Sequence, residues 1–423
     1  MAIDERIPAH LPRKLTISLW DFSWYTMTMP GEPFDDLDRA FAKAVERGYN
    51  TVRICAMPFF LFTPDGPRPG PIGFSNLGGE FGQRTRWYNT RGGATLEGHA
   101  HLLRLFRAAR AHDCYVILSS WEYQQSPSFL REPDLLRELL AVPPERRCLA
   151  QSQSMGQLVQ FLKEHGLTDR IAYVELHNEV DCCPKLAEAV PAGRDTIAGL
   201  KPFLEEGVAL LRARHPDVLV TACYAFPTTY RLRDLAANLQ VAHFHLYVYG
   251  MLRELYRALG LNGDGPPDDD VIHTILRPDA PPYADWTPLE DWRLNGTDVS
   301  RWSFYVYDWA DPDTWDLWLY ERYAGYREAM RQTIDRTLAA MADWAAEHHI
   351  PAVIGEGYVG YTPLRAGFEE GPVGKDVAGY AVEACLRHDF WGIILCSNAA
   401  PHHPFWHDVA WQQGWNRRIL EEA

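Results

Sequence analysis

Short apolar runs alternate with longer amphipathic stretches along most of the chain. "KLTISLW" (14–20) reads as a first strand; over 34–49 Leu37, Phe41, Ala44 and Val45 then recur at helical spacing, with a stop near Gly48. "NTVRICAM" (50–57) is a second strand, and Leu102, Leu103, Leu105, Phe106 and Ala109 mark one side of a helix over 96–112. A third strand, "CYVILSSW" (114–121), precedes helical segments around 133–141 and 153–165. "IAYVELHN" (171–178) is the fourth, followed by a helix over 196–215 and a fifth strand, "VLVTACYA" (218–225). A short helix near 230–238 leads to the sixth, "VAHFHLYV" (241–248). The periodicity is lost from about 250 to 320, in an insertion rich in Pro, Gly, Asp and Trp. It returns as a long helix over 322–348, a seventh strand "PAVIGEGY" (351–358), a helix over 374–388, an eighth strand "FWGIILCSN" (390–398) and a last helix over 406–422.

Eight apolar strands separated by helices predict parallel β/α units closing into a (β/α)8 TIM barrel, an α/β fold of one catalytic domain over 1–423 with a long aromatic-rich insertion after strand six. An open doubly-wound sheet is the alternative. It usually carries a Gly-rich phosphate turn after strand one, and "LWDFSWYT" has none.

Composition narrows the partners. A formal charge of −15 argues against nucleic acid and anionic membranes, which need clustered Lys and Arg. The N-terminal residues predict no secretory signal, and no apolar run approaches a membrane span. Cys55, Cys114, Cys223 and Cys396 fall in strands as small buried hydrophobes, which suits a reducing cytoplasm. Vicinal Cys182 and Cys183 read as loop packing.

Barrel active sites sit at the carboxyl ends of the strands. Arg53 falls there on strand two, Ser120, Trp121 and Glu122 on strand three, Asn178 and Glu179 on strand four, His245 and Tyr247 on strand six, Glu356 on strand seven. Two carboxylates on opposite sides of a barrel fit retaining glycoside hydrolysis, in which an acid and a nucleophile stand about 5–5.5 Å apart. Arg53 beside Glu356 would keep it nucleophilic, and the like charge of Glu356 would raise the pKa of Glu179. Tyr247 would donate to the nucleophile and Asn178 would hold a sugar hydroxyl. No cofactor and no metal are needed, and the partner is a carbohydrate substrate.

The set "TVRI" on strand two, "LHNE" on strand four, "HLY" on strand six and "VIGEG" on strand seven resembles clan A of the glycoside hydrolases, nearest the cellulase-like group around family 5. The resemblance implies a (β/α)8 retaining enzyme acting on β-linked sugars, with Glu179 as acid/base, Glu356 as nucleophile, Asn178 preceding the acid/base, and Arg53, His245 and Tyr247 around them. Two departures concern the substrate. The family's His at the end of strand three is replaced by Ser120 and Trp121, and its Trp at the end of strand eight by Ser397 and Asn398.

Other residues have plainer readings. Glu175 and His177 serve the scaffold, His245 is balanced between support of the site and a core role, and His243 shares its face. Trp121, Glu122, Asn398 and Trp406 are candidate substrate contacts. In "PHHPFWHD" (401–408), His402, His403, His407 and Asp408 suggest a metal, yet the spacing matches no zinc helix, and a loop offering His402, Trp406 or Trp411 to the substrate fits better. The insertion would wall off the barrel mouth and favour exo-action on short glycosides, or its aromatics would form a subunit interface in a homo-oligomer. The competing functions are a sugar-binding barrel without catalysis and a metal-dependent barrel hydrolase.

Overall fold

The computed structural model describes residues 6–75, 93–225, 227, 229–261, 269–286, 290–360, 362–363 and 365–422. Eight strands form the centre: β1 (Leu15–Asp21), β2 (Thr51–Cys55), β3 (Tyr115–Ser119), β4 (Ile171–Glu175), β5 (Val220–Thr221 and Cys223–Tyr224), β6 (Ala242–Tyr247), β7 (Ala352–Tyr358) and β8 (Gly392–Ile394). All pairs are parallel, in sequence order, and β8 pairs with β1. Closure occurs within β5, whose first half pairs with β4 and second half with β6. Every strand residue is buried because helices cover the outer face and side chains fill the inside.

The covering helices are α1 (Leu37–Glu46), α2 (Gly98–Ala111), α3 (Arg147–Glu164), α4 (Thr196–Arg214), α5 (Pro312–Glu347), α6 (Pro372–Arg387) and α7 (Val409–Glu421). Asp36 caps α1 through the Arg39 amide. Gly48, at φ +84°, ends that turn where a Cβ would meet Asn416 at 2.9 Å. No helix among the described residues is long and apolar enough to cross a membrane.

Three expectations change. Between β5 and β6 the chain forms a 3-10 turn, Thr229–Asp234, in place of a helix. Helix α5 begins ten residues earlier than the periodicity suggested, because Asp311 caps it and Pro312 takes its first position. The insertion is not structureless: it contains helices Gly250–Ala258, Asp269–Ile272, Asp291–Asn295 and Arg301–Trp309. Tertiary anchoring holds these short pieces where local periodicity is too brief to register.

Arg293 is one such anchor. Its guanidinium donates to the Ser128 carbonyl at 2.8 Å and the Leu130 carbonyl at 2.5 Å, tying the insertion to the loop after β3. Arg293→Ala should cost about 2–4 kcal/mol by orphaning these acceptors. Urea unfolding checks this, and an unchanged midpoint would show that the insertion is held by other contacts.

Candidate active site

Beyond Glu175 the chain stays clamped between its neighbours. The amides of Leu176, Asn178 and Val180 donate to the carbonyls of Thr221, Ser120 and Cys223. Glu179 sits in the left-handed region at φ +43°, unusual for a side chain of this size, and this turn directs it over the barrel mouth. On the far side, a register shift at Phe244/His245 sets His245 opposite Glu356. Gly355 lets His243 fit beneath them; a Cβ there would lie 1.8 Å from the imidazole.

Arg53 is the hub. It is fully buried and donates to both oxygens of Glu175 (2.7 and 2.9 Å), to Glu356 Oε1 (2.7 Å) and to Asn178 Oδ1 (2.6 Å), with its guanidinium 4.5 Å from the Trp121 ring centre. Glu175 also accepts from Ser119 (2.6 Å) and lies 3.0 Å from His243 Nδ1. Burial pushes the Glu175 carboxyl up, yet Arg53 and His243 outweigh it and hold it well below the usual range. The expected partner of Arg53, Glu356, is one of two. Glu356 Oε2 accepts from Tyr247 at 2.8 Å.

Glu179 is held differently. Its Oε1 lies 2.8 Å from His245 Nδ1, and its Oε2 accepts from the Gln124 amide at 3.1 Å. Burial keeps His245 neutral by lowering its pKa to about 3, and keeps Cys223, 3.1 Å from Nε2, as a thiol. A thiol donating to Nε2 places the ring proton on Nδ1, facing Glu179. Glu179 itself is pushed up to about 7, first by burial, with the charges of Asp181 and Glu175 adding and Gln124 and Arg53 opposing. The expected cause was the charge of Glu356. Burial leads instead.

One oxygen of Glu179, one oxygen of Glu356 and a nitrogen of His245 all lie within 4.8 Å of one another. Cys223, His243 and His245 form a second such group. Both share His245, whose nitrogens already face Glu179 and Cys223, and the Arg53 guanidinium already supplies positive charge. The residues fit hydrogen-bonded carboxyl chemistry better than cation binding.

These carboxyls open into a pocket of about 530 Å³. Trp121, Asn178, Glu179, Tyr247 and Glu356 line it as the sequence suggested, and the insertion adds Tyr249, Arg253, Tyr256, Asp298, Trp302 and Tyr307. Asn178 has one amide hydrogen left for a ligand after donating to Gln124 at 2.7 Å.

Five candidates lie elsewhere. Glu122 is fully buried, accepting from the Phe60 amide, Ser120 and Gln151, so it braces the β3 loop from behind. Asn398 turns away to donate to Glu370 at 3.3 Å. Trp406 stacks on Tyr49 and under Arg47, and with His402 it borders a separate cavity of about 900 Å³. Trp411 packs on Phe405 and Trp415.

The sequence reading missed Gln124, Asp298 and the role of Ser397. Ser397 Oγ lies 2.8 Å from the Tyr247 hydroxyl and accepts from the Gly357 amide, so the small residue at the end of strand eight steadies Tyr247. The cluster "WEYQQS" was the available signal for Gln124: polar residues directly after a barrel strand.

The family model described as cellulase-like, sugar-binding cellulase-like, matches residues 17–420. A protein from Parabacteroides distasonis, classed provisionally as a glycoside hydrolase, shares 19% identity and the barrel fold, with a TM-score of 0.68 over 97% of this chain and 94% of that one. A glycoside hydrolase family 5 mannosidase from Rhizomucor miehei is 12% identical, with a TM-score of 0.48 over 97% of this chain and 94% of that one. No curated protein matches by sequence. The match includes every residue that meets at the mouth: the chain belongs to the cellulase-like, sugar-binding cellulase-like family.

Proposed function

We propose that the protein is a retaining glycosidase that cleaves β-linked glycosides by double displacement. The observation that carries this reading is the approach of Glu179 and Glu356 to within 4.8 Å, oxygen to oxygen, across an open pocket. Retaining enzymes hold their carboxyls about 5–5.5 Å apart, and inverting enzymes about 6.5–9.5 Å, to admit a water between them.

Glu179, with its pKa pushed up to about 7, keeps a proton for the leaving oxygen. Glu356, charge-paired with Arg53 and oriented by Tyr247, attacks the anomeric carbon. The glycosidic C–O bond breaks, the aglycone leaves as an alcohol, and a glycosyl ester forms on Glu356. Glu179, now a carboxylate, then takes a proton from water, which attacks the same carbon and releases Glu356. The insertion walls the pocket to a volume suited to short substrates, which favours exo-action.

A panel of aryl β-pyranosides and β-furanosides tests the reading, with the first-formed anomer observed by proton NMR. Net retention is expected; a first product of inverted configuration would sink the mechanism. Glu179→Gln should slow glycosides with poor leaving groups by about 10²–10⁴-fold and activated aryl glycosides far less. Insensitivity to chelators is expected, and loss of activity on chelation would favour a metal-dependent hydrolase. Sugar binding by calorimetry with no product from any substrate would favour a binding barrel, the reading supported by the altered ends of strands three and eight.

A further inference from the structure

Three side chains join Glu356 to Glu179 in one hydrogen-bonded chain. Arg53 donates to Glu356 Oε1 at 2.7 Å and to Asn178 Oδ1 at 2.6 Å. Asn178 donates to Gln124 Oε1 at 2.7 Å, and Gln124 donates to Glu179 Oε2 at 3.1 Å. The direction of every link follows from donor chemistry. A guanidinium has donors and no acceptor, so the Asn178 atom facing it is the oxygen. The Asn178 nitrogen is then left for the Gln124 oxygen, and the Gln124 nitrogen is left for Glu179. Neither amide can turn over without setting donor against donor and acceptor against acceptor.

The backbone holds this chain in place. Asn178 and Gln124 are both buried. The Asn178 amide donates to the Ser120 carbonyl at 2.8 Å and the Gln124 amide to the Trp121 carbonyl at 2.9 Å. The Gln124 carbonyl accepts from the Asp298 amide at 2.8 Å, so the insertion is tied to the same residue. The consequence falls on the Glu179 proton. Gln124 offers Oε2 a donor, and His245 Nδ1 stands 2.8 Å from Oε1 with its proton toward it. Neither neighbour can take the proton of the neutral acid, which is left to point into the pocket.

We propose that Gln124 is a positioning residue for Glu179, its amide locked by Arg53 through Asn178 so that a donor always faces the carboxyl and the acid's proton is left for the ligand. This rests on Glu179 acting as the acid/base. The groups facing Glu179 from the barrel are Glu175 from β4, Arg53 from β2, Cys223 from β5, His245 from β6 and Glu356 from β7. Asp181, Cys182 and Tyr249 face it from the flanking loops, and Asp298 from the insertion. Gln124→Met alters none of these groups, so comparing it with the wild type isolates the amide. A donor to the carboxylate favours the ionised form, as Gln124 does for Glu179; without it, Glu179 keeps its proton to higher pH.

The test has two readouts. The first is the pH profile of kcat/KM on an aryl β-glycoside, and the second a carboxyl carbon-13 NMR titration of Glu179, assigned by the signal lost in E179Q. In Q124M both the alkaline limb and the Glu179 titration should move up by about half a unit or more, with the acid limb unchanged. Q124L should do the same, and serves if Q124M misfolds. In N178A the Gln124 amide is free to turn, so the titration should rise there too. In the double variant Q124M/N178A it should rise no further than in Q124M, because one chain is broken in both. A Glu179 titration that stays in place in Q124M overturns the proposal, and shifts that add in the double variant overturn the lock through Asn178. A titration that rises while the alkaline limb stays in place upholds the positioning and removes Glu179 as the acid. If the wild type cleaves no glycoside, the glycosidase reading fails, and the NMR titration still decides the role of Gln124.

Discussion

Glu356→Gln should remove turnover of aryl β-glycosides by a factor on the order of 10⁴ or more, because the proposed glycosyl ester forms on this carboxylate. The substitution is nearly isosteric, so the fold should survive. Its amide oxygen can still accept from Arg53 or Tyr247, the two donors that now hold the carboxylate at 2.7 and 2.8 Å. What disappears is the negative charge at the attacking atom. A chemical rescue sharpens the result. In Glu356→Ala, added azide should enter from the face that the carboxylate used and give a glycosyl azide of inverted configuration. In Glu179→Ala, azide should capture the glycosyl-enzyme and give a retained product. Undiminished activity of the Gln variant would remove Glu356 from the mechanism, and swapped azide products would exchange the two roles.

Arg53→Met should cost about 3–5 kcal/mol of stability at neutral pH, since it leaves buried carboxylates without their cation. Glu175 is fully buried and takes two of the guanidinium's bonds, so it dominates the loss. The pH dependence follows from the sign of its shift. The folded-state pKa of Glu175 is depressed, so its stabilisation is present above the unfolded carboxylate range and is lost as pH falls through the folded value. In the variant, burial without Arg53 would raise that pKa instead, and the protein would lose stability as pH climbs past the unfolded value. The gap between the two proteins should therefore be widest near pH 7, narrower near about pH 4, and close only at lower pH, as the wild type's Glu175 takes up its proton. Urea unfolding at both pH values checks this. A gap that stays constant with pH would show that lost packing against Trp121, rather than charge, sets the cost.

Local pattern carried much of this protein. Strand runs such as "LTISLWD" and "AVIGEGY" are buried on both sides, so their near-continuous apolar character marks them without knowledge of their neighbours. Because parallel strands of a barrel deliver their carboxyl ends to one mouth, Glu179 and Glu356 could be paired across 177 positions of sequence. The depth order within "IAYVELHNE" was legible for the same reason: alternate residues share a face, so Glu175 falls beneath Glu179. It indeed bonds Arg53 at the floor, while Glu179 lines the pocket.

Loops were another matter. Glu122 and Asn398 follow strands just as Asn178 does, yet the backbone turns them behind the wall. Trp406 looked like a sugar platform and instead packs on Tyr49. Gln124 and Ser397 bear on the carboxyls through bonds to other elements, 55 residues away for Gln124 with Glu179 and 150 for Ser397 with Tyr247, beyond any local pattern. The sequence by itself determined the barrel, the order of its strands and the two acids at its mouth, since period and strand polarity are properties of the chain alone. Only the tertiary structure decided which loop residues turn inward, that Arg53 serves two carboxylates at once, and that burial rather than Glu356 raises the pKa of Glu179. Those outcomes depend on desolvation and on hydrogen-bond geometry between distant segments, and neither exists until the barrel has closed.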